Sequence, residues 1–244
     1  MLVRKLYKPA RCASFMFQPQ TNFITDSVNN YFTEVAKAEQ FLDSLKECYQ
    51  NPKDIFDRVL KINSTVFVSE DRVEKRIKGY LFFNDRENLE LNLGGKLTKC
   101  IYNGYTLINE GYRQSGGLRE LLEFSMENFK GVYKSTYKSL LFYAVTSNPI
   151  ALRGYYKIFK TARPVIDKDL TDEDLNVVAY LKDKLYVSTE VNGHPFTFKT
   201  GLPQRYTRSV NETIVNLHID EQKYLKQLGV NEKKGDRLLF YWTI

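Results

Sequence analysis

A glycine-containing turn at the start of a helix is the part of this sequence best suited to chemistry. Residues 111–117 read GYRQSGG, and the apolar residues that follow fall on one face of a helix. Gly116 and Gly117 allow a ligand to approach the backbone closely. The free N–H groups and the helix dipole at such a turn bind phosphate or pyrophosphate. The pattern therefore predicts a phosphate-binding turn, although a turn without any ligand can have the same composition.

Other phosphate and metal motifs do not fit this sequence. No Gly-Lys-Ser/Thr follows the turn, as a Walker loop requires, and no GxGxxG is present. The cysteines and histidines that a metal or disulfide site would use are few and scattered, namely Cys12, Cys48, Cys100, His194 and His218. They contain no CxxC pair and no HxxxH-type spacing, so we expect neither a metal site nor a disulfide framework.

The elements before the turn are predicted from hydrophobic spacing. Apolar residues recur at helical intervals over residues 28–60 and are interrupted at Asn51-Pro52, which predicts two helices before the first strand. Residues 65–69 and 79–84 are typical of strands joined by a charged connection. A looser stretch containing Gly94-Gly95 then leads to a β-rich segment at residues 100–109. The turn therefore lies between a strand and a helix.

The elements after the turn repeat this order. Residues 139–146 (SLLFYAVT) predict a buried strand, and Asn148-Pro149 predicts the start of a helix that ends near Phe159. The acidic run at residues 167–174 predicts a connection. The remainder contains a hairpin around Asn192-Gly193, a helix at residues 221–228 and a terminal strand at residues 237–243.

The turn resembles the acyl-CoA pyrophosphate loop of the GNAT N-acetyltransferase superfamily. That pattern is Arg or Gln, two residues, Gly, one residue, then Gly or Ala, and residues 113–118 read RQSGGL. Leu118 stands at the last fixed position, where the family prefers a small residue. Downstream, Asn148, Ala151 and Tyr155 resemble the second family signature, while Phe159-Lys160 replaces its closing Gly-Phe. The two signatures occur in the family order, separated by one helix and one strand.

The resemblance implies a fold of the mixed α/β (α+β) class. Its central sheet is mixed and mostly antiparallel, contains a splayed pair of parallel strands and is flanked by helices. The implied core is residues 62–163. Residues 1–61 would supply two helices that pack on the core, and residues 164–244 would complete the sheet and the acceptor pocket.

The resemblance also implies the reaction, in which an acyl group, in the first place acetyl, moves from acyl-CoA to an amine by direct attack in a ternary complex. Tyr155 would protonate the leaving thiolate, with Tyr156 as substitute, and Glu110 would be the base. A backbone amide near Ile108 would hold the thioester oxygen. The implied cofactor-binding residues are Ile108, Arg113, Gln114, Ser115, Gly116, Gly117, Leu118, Asn148 and Tyr155.

Structural roles for these residues stay open. Tyr155 can equally pack in the core, Asn148 can simply cap its helix, and Glu110 can be a surface carboxylate. The protein as a whole can be a degenerate acyl-CoA-binding or regulatory protein. A nucleic-acid-binding module is a further alternative because the formal charge is +7 and 14% of residues are aromatic. However, basic and acidic residues are intermixed, so we expect no specific nucleic acid partner.

Composition bounds the remaining expectations. With 244 residues, 43% of them hydrophobic, the chain can bury a sizeable core, and no apolar run is long enough to span a membrane. Residues 1–20 are basic without any acidic residue, as in mitochondrial targeting peptides, but they also fit an ordinary leading segment, and we expect a cytoplasmic protein. The acceptor can be a small amine, an amino acid, an antibiotic-like compound, or a protein N-terminus or lysine.

Overall fold

The computed structural model describes residues 21–113, 115–185, 190–200, 206–216 and 219–244. Within these ranges the strands are β1 (Thr21–Ser27), β2 (Thr65–Asp71), β3 (Ile77–Asn84), β4 (Glu90–Leu93), β5 (Lys96–Ile108), β6 (Ser139–Thr146), β7 (Thr197–Lys199) and β8 (Asp236–Thr243). The helices are α1 (Val28–Tyr31), α2 (Val35–Lys46), α3 (Pro52–Ile62), α4 (Gly117–Tyr133), α5 (Pro149–Ile158), α6 (Asp172–Lys184), α7 (Arg208–Val215) and α8 (Asp220–Gln227).

One mixed sheet organises the described part of the chain. Its strands follow the order β1-β2-β3-β5-β6-β8-β7, and β4 pairs with the beginning of β5. All neighbouring strands are antiparallel except β5 and β6, which are parallel. The helix between these two strands, α4, provides the crossover that parallel neighbours need. The predicted fold class, a mostly antiparallel mixed sheet with one parallel pair and flanking helices, is confirmed.

Helices cover both faces of the sheet. On one face, α1, α2 and α3 bury Tyr80, Phe82 and Leu107 of β3 and β5. On the other face, α4 packs against β2, β3 and β6, and α5 packs on Phe240 and Trp242 of β8. The sheet therefore separates the layer α1–α3 from the layer α4–α5.

Several elements differ from the sequence expectation. The prediction that two helices precede the first strand was wrong, because β1 forms the edge of the sheet ahead of three helices. The stretch around Gly94-Gly95 is a tight hairpin joining β4 to β5, and both glycines have positive φ, 56° and 77°, as a type I′ turn needs.

The acidic run at residues 167–174 was predicted to be a connection, but its end is the first turn of α6. Thr171 caps this helix by accepting from the N–H of Asp174, whose side chain accepts from the Thr171 N–H in return. Acidic side chains also favour the N-terminal turn of a helix because of the helix dipole. Helix α7 was not predicted.

The turn at Asn192-Gly193 is present, with positive φ at both residues and a bridge between Val191 and His194. His218 and Cys12 lie outside the described residues. None of the helices in the described ranges has the length and apolar character needed to cross a membrane.

Candidate functional site

The parallel strands β5 and β6 separate toward their C-terminal ends. Their pairing runs from Thr98↔Ser139 to Tyr102↔Tyr143 and then stops. Both strands continue, because β5 pairs with β3 as far as Ile108 and β6 pairs with β8 as far as Thr146. An opening, here called the split, therefore lies between residues 103–108 of β5 and residues 144–146 of β6. The predicted splaying of this strand pair is confirmed.

Backbone polar groups of β5 face the split. The N–H of Asn109 donates to the carbonyl of Lys78 on β3, at 3.0 Å. Because the direction of N–H and C=O groups alternates along a strand, the backbone groups of Thr106 and Ile108 point away from β3 and toward the side of β6. These groups can pair with an extended ligand as a further strand would.

A bulge in β5 marks the place where the split begins. The register shifts between Phe82 and Phe83 of β3, so Gly104 is the additional residue on β5. A Cβ atom on Gly104 would lie 2.0 Å from Oδ1 of Asn63. The Asn63 side chain is itself fixed, because Nδ2 donates to the carbonyl of Val59 at 3.0 Å. Only glycine therefore fits at this point of the strand.

The predicted phosphate-binding turn leads into α4 as expected. Gly116 is the N-cap, with φ of 90° and no side-chain capping bond. The N–H groups of Gly117, Leu118 and Arg119 in the first turn of α4 have no acceptor within the described residues. The Ser115 hydroxyl donates to the carbonyl of Tyr112 at 2.7 Å and so stabilises the turn internally. Gln114 lies outside the described residues.

The side chain of Arg113 is bound to the end of β5 and to Cys48. Its Nε donates to the carbonyl of Ile108 at 3.0 Å, and a terminal nitrogen donates to Sγ of Cys48 at 3.1 Å. Burial raises the pKa of the Cys48 thiol, and the adjacent guanidinium opposes that effect. The guanidinium therefore forms a hydrogen bond with the last backbone carbonyl of β5 that faces the split.

Tyr155 extends from α5 across the split to β5. Its hydroxyl is 2.6 Å from Oγ1 of Thr106 and also donates to Oδ1 of Asn103. The ring contacts Phe240 and Trp242 and is 2% exposed. Burial raises the pKa of Tyr155 above its ordinary value, so the hydroxyl keeps its proton at neutral pH.

Leu118 packs against α5 at the mouth of the split. A Cβ atom added at Gly154 would lie 2.8 Å from Cδ2 of Leu118. The large side chain of Leu118 at the start of α4 therefore fits because Gly154 on α5 has no side chain. The family pattern has a small residue at the position of Leu118, and here the small residue is on the opposite helix.

The remaining predicted residues lie at the ends of the same strands. Asn148 caps α5, because its Oδ1 accepts from the N–H of Ile150 at 2.9 Å. Glu110 begins a short 3-10 turn, Glu110–Tyr112, directly after β5 and is exposed. The structure therefore brings Tyr155 against β5, while Glu110 lies in the connection between β5 and α4.

A second cluster, here called the Tyr49 cluster, lies on the opposite face of the sheet and contains Tyr49, Tyr105, Tyr206, Glu232 and Arg237. Phe240 and Trp242 of β8 face α5, so Arg237 on the same strand points to the other side. Tyr49 contacts Tyr105 and Tyr206, with ring centroids 5.9 and 5.3 Å apart. Arg237 is also within reach of the end of β6, since it donates to Oγ of Ser147 at 3.4 Å.

Glu232 is a carboxyl group on this face with a strongly shifted pKa. Its carboxylate is partly buried and has no hydrogen bond or ion pair to another described residue. Burial raises the pKa of Glu232 to about 7, although Arg237 and Lys233 act in the opposite direction. A carboxyl that titrates near neutral pH is suited to accept a proton.

Sequence reasoning missed Tyr49, Tyr206, Glu232 and Arg237. They come from three separate segments that only the folded chain brings together, and none belongs to a recognisable motif. The run Asn231 to Asp236, which places a 3-10 turn before β8, gave no signal of its own. Among the described residues there is also no group of three or more potential metal ligands.

No protein-family profile matches the chain, and no curated protein is significantly similar in sequence. Solved structures of GNAT-family N-acetyltransferases resemble it. One, from Escherichia coli in complex with CoA, is 15% identical, has a TM-score of 0.35, and the match covers 57% of this chain and 67% of that one.

Two further structures are described as ribosomal-protein-alanine N-acetyltransferases. The one from Escherichia coli is 10% identical with a TM-score of 0.46, and the match covers 91% of this chain and 94% of that one. The one from Brucella melitensis is 14% identical with a TM-score of 0.40, covering 62% and 96%. At these scores the fold assignment rests on the strand pairing of the chain itself.

Proposed function

We propose that this chain is an N-acyltransferase of the GNAT type that moves an acyl group, in the first place acetyl, from acyl-CoA to an amine. The observation that carries the proposal is the split between β5 and β6, where two parallel strands stop pairing while both continue with their outer neighbours. The unpaired backbone of β5 and the uncapped start of α4 lie at the same end of these strands. This arrangement suits an extended ligand that ends in phosphates.

In this proposal the pantetheine arm of the cofactor pairs with β5. The backbone groups of Thr106 and Ile108 supply donors and acceptors, and the amides of residues 114–118 hold the pyrophosphate. Arg113 has to leave the Ile108 carbonyl when that carbonyl pairs with the arm, and its guanidinium then becomes available to a phosphate. No metal ion takes part in this scheme.

The acyl transfer itself needs three groups. The amide of Ile108 faces the split and would hold the thioester oxygen. Tyr155, which keeps its proton and reaches β5, would supply a proton to the departing thiolate. The base is one of two carboxylates, Glu110 after β5 or Glu232 of the Tyr49 cluster.

One observation favours a second function, that of a non-catalytic acyl-CoA-binding protein. The hydroxyl of Tyr155 is already engaged by Thr106 and Asn103, and Leu118 contacts α5 at the mouth of the split. Both features restrict access to the reacting atoms. The two functions share cofactor binding and differ only in turnover with an amine.

The experiment that tests the shared claim is a thermal-shift titration with acetyl-CoA. A ligand that binds only the folded chain raises its stability, by about 2.7 kcal/mol at about 100 times its dissociation constant. For a chain of this size we expect the melting temperature to rise by roughly 5–10 °C. A melting temperature that does not rise at about 1 mM acetyl-CoA would contradict the proposal.

Two glycines, Gly116 directly before α4 and Gly131 within it, provide a matched pair of variants. Gly116→Ala places a side chain at φ of 90°, which strains the turn, whereas Gly131→Ala lies within the helix and has open space around its Cβ. We expect Gly116→Ala to weaken the acetyl-CoA response and Gly131→Ala to retain it. Equal responses would place the ligand away from the turn.

A further inference from the structure

Three hydrogen-bonded side chains, here called the Tyr155 network, join β5 to α5 across the split. Oγ1 of Thr106 lies 2.6 Å from the Tyr155 hydroxyl and donates to Oδ1 of Asn103 at 3.2 Å, and the Tyr155 hydroxyl also donates to that oxygen. Asn103 is 4% and Tyr155 2% exposed, whereas Thr106 is partly exposed. Acyl transfer as proposed uses only the Tyr155 hydroxyl, so the Thr106 hydroxyl is left without a role.

The side-chain amide of Asn103 has a fixed orientation. Its Nδ2 donates to the backbone carbonyl of Phe82 at 3.0 Å, and a carbonyl oxygen accepts but cannot donate. The atom that faces Thr106 and Tyr155 is therefore the amide oxygen, which carries no proton. Either Tyr155 donates to this oxygen and Thr106 donates to Tyr155, or Thr106 donates to it and the Tyr155 proton can point elsewhere. In both arrangements the buried Asn103 oxygen keeps a donor, and only hydroxyl protons move between them.

This network does not favour a tyrosinate. Burial raises the pKa of Tyr155, although the hydrogen bond with Thr106 acts in the opposite direction. The rings of Phe240 and Trp242 contact the Tyr155 ring, and the Asn103 oxygen would repel a phenolate oxygen. No Lys, Arg or His of the described ranges is hydrogen-bonded to the Tyr155 hydroxyl. A thiolate, whose thiol has a pKa of about 8.5, therefore takes this proton only if Tyr155 receives another in the same step.

We propose that Thr106 and Tyr155 form a proton relay, in which the Thr106 hydroxyl replaces the proton that Tyr155 gives to the departing thiolate. This proposal rests on the proposed acyltransferase function. As the C–S bond of the tetrahedral intermediate breaks, its electron pair leaves with the sulfur, which takes the Tyr155 proton. Tyr155 takes the Thr106 proton, and Thr106 takes a proton from the nitrogen that has formed the new C–N bond. Each hydroxyl ends with one proton, and the products are the amide and the free thiol.

The position of Thr106 fits this role. Its backbone groups face the split and the residue is partly exposed, so an amine that attacks the thioester can reach its hydroxyl. Tyr155 crosses the split from α5 and therefore lies against a ligand bound there. Thr106 is thus a further catalytic residue. Asn103 contacts the two hydroxyl groups and the Phe82 carbonyl and is a positioning residue.

Thiol release from acetyl-CoA with hydroxylamine as the amine tests the relay. Hydroxylamine is small and mostly neutral at neutral pH, so the rate depends little on the acceptor pocket or on a base. Thr106→Val removes the hydroxyl but keeps the branched shape, and we expect it to lower kcat at least about tenfold with the KM for acetyl-CoA within about twofold. Thr106→Ser keeps a hydroxyl and should retain most of the native kcat. Thr98→Val, at the other end of β5, removes a hydroxyl that donates to the Lys96 carbonyl and should change neither value.

Two measurements distinguish a relay from a packing role of Thr106. The two hydroxyl groups of a relay act as a unit, so Thr106→Val combined with Tyr155→Phe should be no slower than Tyr155→Phe alone. In mixtures of H2O and D2O the native rate should fall along a curve, because several protons move in one step. A native kcat in Thr106→Val, additive losses in the double variant, or a straight line for the native chain would overturn the relay.

The native rate separates failure of the relay from failure of the proposed function. If the native chain releases thiol faster than buffer alone and Thr106→Val releases it equally fast, acyl transfer stands and the relay is wrong. If the native chain releases thiol no faster than buffer while acetyl-CoA raises its melting temperature, the chain is the non-catalytic binding protein, and relay and transfer are both wrong. A loss of kcat in Thr106→Val that Thr106→Ser restores is the result that the relay predicts.

Discussion

Replacing Glu232 by glutamine should make the protein more stable at alkaline pH. The folded-state pKa of Glu232 is raised from 4.5 to about 7. That difference corresponds to about 3 kcal/mol at about 1.4 kcal/mol per pH unit, and solvent screening of a partly exposed carboxylate lowers it to about 2 kcal/mol. Because the folded state holds the proton more tightly, the native chain has its full stability below about pH 4.5 and loses this amount as pH rises through about 7.

Glutamine resembles the protonated carboxyl and does not titrate. The free energies of unfolding of Glu232→Gln and the native chain should therefore agree near pH 4 and differ by about 2 kcal/mol, in favour of the variant, near pH 8. Urea unfolding at the two pH values measures this difference. Glu123→Gln on the exposed face of α4 is the control and should change neither value. A difference that does not depend on pH would refute the environment assigned to Glu232.

Three further variants test the site. Gly104→Ala should cost about 1–3 kcal/mol in urea unfolding because its Cβ would meet Oδ1 of Asn63 at 2.0 Å, and adding Asn63→Ala should recover most of the loss; a fully stable single variant would contradict this packing. Tyr155→Phe should lower turnover at least about tenfold with little change in acetyl-CoA affinity, and unchanged turnover would remove Tyr155 from the mechanism. Leu118→Ala should tighten acetyl-CoA binding about threefold by calorimetry, because it removes the contact with Gly154; unchanged affinity would mean that this contact does not limit access.

Periodicity predicted the elements whose residues are buried on a fixed face. β6 matches residue for residue, and α5 begins at Pro149 as its cap and proline indicate. β1 was missed because it is an edge strand with one buried residue, Thr21, and therefore no clear alternation. α6 was missed because acidic residues fill its first turn, which has the composition of a loop as well as that of a helix start.

The residues of the site likewise divide into those that local patterns indicate and those that only the folded chain brings together. The turn at Gly116 and the order of β5, α4, β6 and α5 are local patterns, and the family resemblance that they carry implied the split and the position of Tyr155. The Tyr49 cluster could not be predicted, since Glu232 and Arg237 become neighbours of Tyr49 only through pairing of distant strands. Burial, which sets the pKa of Glu232, is likewise a property of the folded chain.

The most direct test of the central claim is an amide NMR titration with acetyl-CoA. If the cofactor lies along the split, the resonances of Thr106, Ile108, Gly116, Gly117 and Leu118 should shift together and saturate below about 1 mM acetyl-CoA. The amide resonance of Gly131, which lies near the C-terminal end of α4, should not shift. Resonances of the split and the turn that remain unchanged at that concentration, or shifts confined to other parts of the chain, would contradict acyl-CoA binding at this site.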